Sequence, residues 1–356
     1  MQKRSNRLII ALILLLATGC FHTQAFASES ASNEDLNPKE IILEHLQDAY
    51  WWHIATVGDH HLSIYLPVIV YSSTNGFAIF SSSHIAHNHS YKGYFIPHEG
   101  KYAGKIVELN DEGEEVRPLD LSLSKIPFAI LVNSIVMLVL FLLVAHWYRK
   151  SPKHATPGGI VGAMEMFVMS VEDDIIRKSI GKDYARYSPY LLTAFFFIFI
   201  NNILGLLPVF PGGANVTGNI SVTLVLALCT MVAINLFGNK AYWKDIFWPE
   251  VPMWMKAPLP LMPVIELFGV ISKPFALTIR LFANITAGHA IILSITCLIF
   301  LTVKLGVTVN ASMTAFAVIL SVFMSFLEIL VAYIQAYVFT MLSAVFIGLS
   351  RHNEEH

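Results

Sequence analysis

Charge is what this sequence has least of. Only 13% of its 356 residues are Asp, Glu, Lys or Arg, against roughly 25% in an ordinary soluble domain. The shortage is uneven, because most charges fall in the first 190 positions and at the extreme C-terminus. A formal net charge of −2 leaves no electrostatic footprint for nucleic acid. Cysteine is scarce too. Cys229 and Cys297 lie inside apolar runs and Cys20 in the leader, spacings that exclude a disulfide framework or a Cys-based metal motif. There is no HExxH, which argues against an intramembrane metalloprotease. What is plentiful is apolar: 55% of the residues are hydrophobic and the mean hydropathy is +0.60. Long apolar spans separated by short polar loops account for this balance.

The N-terminus reads as an export signal. Lys3, Arg4 and Arg7 make a positive start, Leu8–Ala17 an apolar core, and Ala25-Phe26-Ala27 a small-residue cleavage site, so residues 1–27 are expected to be removed. A competing reading processes the chain at Ala17-Thr18-Gly19-Cys20 and lipidates Cys20, although Ala17 is not the usual large aliphatic residue. Either route exports the segment after the signal and implies a bacterial envelope protein. Residues 28–124 are expected to form a small periplasmic α/β domain. It would have a short helix at Pro38–Trp52, β-rich runs at Leu62–Tyr71, Gly76–Ser81 and Tyr102–Leu109, and a turn at residues 72–76. His60, His61, His84, His87, His89 and His98 fall in this segment. With no His-x3-His and acidic partner, they read as a solvated loop and not a metal centre.

From residue 125 to 350 the chain reads as an all-α polytopic membrane domain with about five spans. The first is Ile126–Trp147, followed by Arg149, Lys150 and Lys153. Positions 157–186 carry Arg177, Lys178, Lys182 and Arg186 in an amphipathic stretch expected to lie on the membrane surface. Further spans are expected at Pro189–Leu207 and Ile220–Phe237. The last two apolar stretches, Pro263–Val303 and Ala311–Leu349, far exceed the roughly 20 residues that a perpendicular helix needs. They must tilt, curve or extend beyond the bilayer. Basic residues after spans one and three and at Arg351 put the N-terminal domain outside and the tail, residues 351–356, in the cytoplasm. Five spans satisfy the same parity.

The last two stretches hold ionisable and amide groups where apolar ones belong: Glu266, Lys273, Arg280, Asn284, His289, Glu328 and Gln335. An ionised side chain at the centre of a span costs about 2.5–3.5 kcal/mol on insertion scales. Snorkelling to the interface suits Lys273 and Glu266. It does not suit Arg280, which lies about 21 Å along the helix from Glu266. Asn284 and Gly288 follow Arg280 at intervals of four, on one drifting stripe. Glu328 and Gln335, seven apart, share a face of the final helix. His289, nine beyond Arg280, points to the opposite side. If the last two helices run antiparallel, His289 can meet Glu328, either as a proton-relay pair, since imidazole titrates near neutrality, or as an ion pair that only sets helix register. These residues alone also allow a secondary transporter binding a substrate at the midplane, but no internal repeat or broken helix is visible. In a further alternative the exported domain is the principal actor and the spans its anchor.

The run Ser272-Lys273-Pro274 through Arg280-Leu281-Phe282-Ala283-Asn284 to Ala287-Gly288-His289 resembles the signature of subunit a of F-type ATP synthases. Asn202–Pro208, Thr217–Leu226 and Gln335-Ala336-Tyr337-Val338-Phe339 resemble three further segments of that family in the same order. The likeness covers about residues 120–350. It implies a non-catalytic stator subunit without cofactor or metal in the bacterial inner membrane, surrounded by membrane lipid and partnered by the c-subunit ring and a b-type peripheral stalk. It further implies that Arg280 faces the ring carboxylates and blocks a proton short-circuit, with Gln335 packed near it. Asn284, His289 and Glu328 match positions lining the outer half-channel, and Glu266 one associated with the inner half-channel. In many bacterial members the acid and the histidine at positions 289 and 328 are exchanged, a departure that keeps the pair facing. The long exported segment is a second departure, and the common core does not explain it.

Overall fold

The computed structural model describes residues 47–57, 60–72, 76–86, 89–97, 100–110, 113–152, 156–207, 212–248 and 261–351. The export signal, Cys20, His87, His98, residues 352–356 and the side chains of His60 and His61 lie outside the described residues.

The N-terminal part is built from three small antiparallel sheets. Strand β1 (Trp51–Val57) pairs with β2 (His60–Tyr65). Strand β3 (Pro67–Ser72) lies between β4 (Gly76–Ser81) and β8 (Leu119–Asp120), and β6 (Val107–Leu109) between β5 (Tyr94–Phe95) and β7 (Glu115–Val116). Alternation decides which side is buried: Val68, Val70, Ala78 and Phe80 point into a core with Tyr50, Ile85, Tyr94 and Ile106. Ser72 donates to the carboxylate of Glu108 inside it.

Three sequence expectations need correction here. Trp51 and Trp52 extend a strand instead of ending a helix; residues 38–46 of that expected helix lie outside the described residues. The run 62–71 is two strands broken at Leu66, whose backbone N–H is taken by Ser82 Oγ at 3.0 Å. Only Val107–Leu109 of the run 102–109 is a strand, because turns occupy residues 101–104. The centre of the expected turn, residues 73–75, lies outside the described residues. Ser72 pairs with Gly76, and Gly76 has φ +69°, a left-handed conformation that glycine takes without a Cβ clash.

Helix α1 (Lys125–Lys150) leaves this domain without slack. Asp48 accepts hydrogen bonds from the Ile126 backbone N–H at 3.0 Å and the Ser124 hydroxyl at 2.6 Å. It thereby satisfies donors that a helix N-terminus otherwise leaves orphaned. Lys125 N–H donates to Ala49 O at 2.8 Å, and Trp52 meets Phe128 edge-on at 6.0 Å.

Helix α2 (Gly159–Met169) continues as a π-helix over Ser170–Ile176, then a single turn α3 (Arg177–Ile180), a 3-10 turn and α4 (Tyr184–Leu206). Helices α5 (Ile220–Phe237) and α6 (Lys240–Phe247) come next, then α7 (Leu261–Leu301) and α8 (Val307–Arg351). Five stretches of the described residues are long and apolar enough to cross a membrane: 125–150, 159–206, 220–237, 262–301 and 307–351. The fold is thus an all-α polytopic membrane protein with a strand-bearing N-terminal segment. Helices α7 and α8, of 41 and 45 residues, are roughly 61 and 67 Å long, about twice the hydrocarbon thickness of a bilayer.

The charged stretch 159–180 is one-sided, and its apolar side packs within the protein. Met164, Val171, Ile175 and Ile176 are buried in the main apolar cluster. The wider π-helical turn brings residues 171 and 175–176 to one side, while Glu172 and Asp173 stay half-exposed and Asp174 exposed.

Packing divides the chain into two units, one of residues 1–132, 204–214 and 290–325, the other of residues 133–203, 215–289 and 326–356. In the first, α7 turns into α8 through Thr302–Leu305 and Gly306, with Thr302 Oγ1 3.0 Å from both Ile299 O and Asn310 Oδ1. In the second, the core gathers Leu191, Phe195, Phe196 and Ile198 of α4, Ala227 and Ile234 of α5, Leu277, Leu281 and Ile285 of α7, and Ala336, Phe339, Ala344 and Ile347 of α8. Asn133 Nδ2 donates to Asn201 Oδ1 at 2.9 Å, and Thr217 donates to Asn202.

Candidate functional site

The buried side of α7 is set by Pro274, Leu277, Thr278, Leu281 and Ile285. At 100° per residue these positions share one face, and Ala276, Arg280, Ala283, Asn284 and Ala287 fall well away from it. All five of those are exposed. Arg280 lies in the middle of α7, roughly 30 Å of helix from either end. No hydrogen bond or ion pair joins Arg280 or Asn284 to another described residue. A permanently charged guanidinium therefore stands among apolar and alanine side chains, available to something outside this chain.

On the other side of the same helix, His289 Nδ1 lies 3.2 Å from Glu328 Oε1. His289 is 19% exposed and Glu328 only 4%. The pair is close enough to share charge, yet neither carboxylate oxygen of Glu328 accepts a well-formed hydrogen bond, and Thr286 Oγ1, one turn before His289, is a further buried oxygen without one. Buried polar oxygens in this condition are ordinarily satisfied by water.

Gly288 makes room for this arrangement. A Cβ there would stand 3.0 Å from Glu328 Oε1 and 3.3 Å from its Cδ. The stripe through Arg280 and Asn284 drifts about 80° over eight residues. That drift carries position 288 from the exposed side onto Glu328. Sequence spacing placed Gly288 on the stripe and missed the close approach, for which an isolated glycine in an apolar helix was the available signal.

Gln335 is buried at 7% exposure, two turns beyond Glu328 on α8. No hydrogen bond links it to Arg280. Glu266, near the start of α7, is half-buried. Its negative charge, after burial itself, pushes the phenol of Tyr242 above its ordinary value, and Tyr242 OH donates to Asn235 Oδ1 at 3.2 Å. A cavity of about 10 Å³ bordered by Thr230, Asn235, Tyr242 and Lys273 approaches the room one water needs. Lys273 stands over the Phe346 ring at 5.3 Å.

The far end of α8 is clamped by contacts the sequence did not signal. Arg351 reaches Asp183 Oδ2 at 2.7 Å and Asn239 Oδ1 at 3.1 Å, and Asn239 returns its amide to Arg351 O at 2.9 Å. In the N-terminal domain, His84 stacks on Tyr91 at 4.6 Å, and no group of three His, Cys, Asp or Glu side chains among the described residues is placed to hold a metal ion.

Residues 130–348 match the family described as ATP synthase A chain, and residues 41–121 match a domain of unknown function, DUF8433. ATP synthase subunit a of Chlorobium phaeobacteroides (strain DSM 266) is 42% identical over 67% of this chain and 67% of its own. ATP synthase subunit a 2 of Prosthecochloris aestuarii is 37% identical over 78% of this chain and 85% of its own. ATP synthase subunit a of Myxococcus xanthus is 38% identical over 70% and 82%. With five membrane-crossing stretches, a family match over most of the membrane domain and relatives near 40% identity, the chain belongs to the ATP synthase A chain family.

Proposed function

We propose that this chain is the non-catalytic stator half of a rotary proton path, working against a ring of c subunits and held by a peripheral stalk. The observation that supports it best is the division of α7 into two polar sides: an unpartnered, exposed Arg280 on one, a buried His289–Glu328 pair on the other. Protons enter along the His289–Glu328 side, where Thr286 and Glu328 offer buried oxygens to water. They neutralise a ring carboxyl, which then turns into lipid. After nearly a full rotation the carboxyl discharges into an inner path near Glu266, Tyr242 and Asn235. Arg280 separates the two paths because a guanidinium favours the ionised form of an adjoining acid and keeps its own charge at any biological pH. Asn284 extends the polar contact along the ring, and Gln335 of α8 packs near Arg280. The driving force is about 2.3 kcal/mol per charge for each 100 mV of membrane potential. The membrane is the bacterial inner membrane, with the N-terminal domain in the periplasm and the C-terminus in the cytoplasm.

The test is ATP-driven acidification of inverted membrane vesicles carrying wild-type chain or Arg280→Ala, with assembly checked by co-purification. Loss of pumping in an assembled Arg280→Ala complex is expected. Unchanged pumping would remove Arg280 as the barrier and return the chain to the transporter reading.

A further inference from the structure

The N-terminal domain carries a face that its own core does not use. In the sheet β4-β3-β8, Val68, Val70, Ala78 and Phe80 point inward. The outward positions are Pro67, Ile69, Tyr71, Phe77, Ile79, Ser81 and Leu119, and Leu121 comes just after β8; none is ionisable at neutral pH. Register groups them, with Ile69 opposite Ile79 and Tyr71 opposite both Phe77 and Leu119. Tyr71, Phe77, Ile79, Leu119 and Leu121 are 53%, 62%, 58%, 60% and 62% exposed. An aromatic side chain presents roughly 150–250 Å², so five large side chains more than half exposed make a patch above about 400 Å². A patch of that size on a folded domain marks a contact surface.

The way the face is joined to the membrane domain decides what covers it. Only residues 122–124 separate Leu121 from Lys125, the first residue of α1. That connection is pinned throughout. Leu121 N–H donates to Ile69 O at 2.9 Å, and Ser122 Oγ accepts from Ile69 N–H at 3.0 Å. Asp48 holds Ser124 and Ile126, and Trp52 packs on Phe128. No free linker lets the sheet drift away. At about 3.4 Å per residue along the chain and 4.8 Å between strands, every side chain of the patch lies within roughly 25 Å of the first turn of α1. The helix it leads into is itself committed to lipid, with Leu131, Ile135, Leu138 and Leu142 exposed at helical spacing. A face of Tyr, Phe, Ile and Leu without charged groups matches the interfacial layer, where amphipathic rings settle at headgroup level.

We propose that the outward face of β4-β3-β8 is a lipid-contacting surface, seated in the headgroup layer of the bilayer beside the point where α1 enters it. The domain is then a half-immersed float fixed to the first span.

The test uses the assembled synthase in vesicles of phosphatidylethanolamine and phosphatidylglycerol. Cys20, Cys229 and Cys297 are replaced by serine, and a nitroxide is attached at Phe77→Cys, Ile79→Cys, Leu138→Cys as the lipid reference, or Glu114→Cys as the water reference. Collision rates with oxygen, which concentrates in lipid, and with a water-soluble nickel chelate are read by spin-label power saturation. The expected result is a several-fold excess of oxygen over nickel accessibility at 77 and 79 relative to 114, approaching that at 138. Nickel accessibility at 77 and 79 equal to that at 114 would place the face in water and overturn the proposal. Shielding of both positions from both reagents would show a protein partner over the face and overturn it equally.

Discussion

Filling the notch at Gly288 isolates the position of one carboxylate. An alanine Cβ there would sit 3.0 Å from Glu328 Oε1, 3.3 Å from Cδ and 3.4 Å from Cγ. The carboxylate must then retreat by a few tenths of an ångström, and as the end of a flexible side chain it can do so. Overpacking costs about 1–3 kcal/mol, offset by about 1 kcal/mol of helix propensity gained from glycine to alanine. The net cost of Gly288→Ala is therefore about 0–2 kcal/mol, small enough for the complex to assemble. Retreat moves Oε1 from its 3.2 Å position against His289. Proton conduction should fall by about three- to tenfold, equivalent to roughly 0.7–1.4 kcal/mol of barrier. Gly288→Val adds two more methyl groups and should cut conduction below a tenth of wild type. Gly269→Ala on the same helix, where nothing lies within 4 Å of the new Cβ, is the control and should conduct normally. The assay is passive proton flux through vesicles stripped of the catalytic sector, normalised to assembled ring and stator by immunoblot. Wild-type flux in an assembled Gly288→Val complex would refute the reasoning, because the Glu328 carboxylate would then have no positional role.

Arg280→Lys keeps the charge but loses the planar fork and its fixed protonation; coupled ATP synthesis in vesicles should be strongly impaired, and normal synthesis would count against the barrier mechanism. Tyr50→Phe removes the hydrogen bond from the Tyr50 hydroxyl to Asp120 and should destabilise the N-terminal domain by about 1–2 kcal/mol, read by hydrogen exchange at Ile106 and Val107 in the intact complex. Burial, and then Asp120, hold the Tyr50 phenol above its usual value. Its stabilising contribution is therefore complete below about pH 10 and lost as pH rises toward the folded value. The wild-type advantage over Tyr50→Phe should shrink only above that point; a constant difference at pH 9 and 11 would contradict the linkage. Asp48→Ala withdraws the acceptor of Ser124 and Ile126 and should loosen the start of α1 by about 0.5–2 kcal/mol, seen as faster exchange of amides 126–129 with helix 135–145 unchanged.

The membrane domain was the legible part of the sequence. Apolar runs of fixed period report burial in lipid directly, and α5 begins and ends where composition placed it, at Ile220 and Phe237. Arg280 was conspicuous for the same reason, as a charge in the middle of an apolar run. The stretch 157–186 was legible as one-sided, with Arg177 and Lys178 exposed, but not which residues its apolar side meets, because lipid headgroups and a protein core select the same pattern; Val171, Ile175 and Ile176 join the main apolar cluster. The Trp51–Trp52 strand was hidden by a helix-compatible run before it, and its pairing with Tyr65 and Ile64 is non-local. Gly288 was read by spacing alone, which fixes a direction around a helix but not what approaches from the neighbouring one.

The rigid junction at Asp48 has an experimental use. Because Asp48 and the Leu121–Ser122 connection tie the first turn of α1 to the sheet β4-β3-β8 by hydrogen bonds, the sheet can serve as a pointer roughly 25 Å long. A 5° rocking of that first turn would swing a dye on β4 by about 2 Å, by simple lever geometry on that length. Single-molecule energy transfer between such a dye and a fixed point on the complex would then read any rocking of the start of α1 during turnover, with the optics attached to the N-terminal domain instead of the crowded membrane-spanning helices.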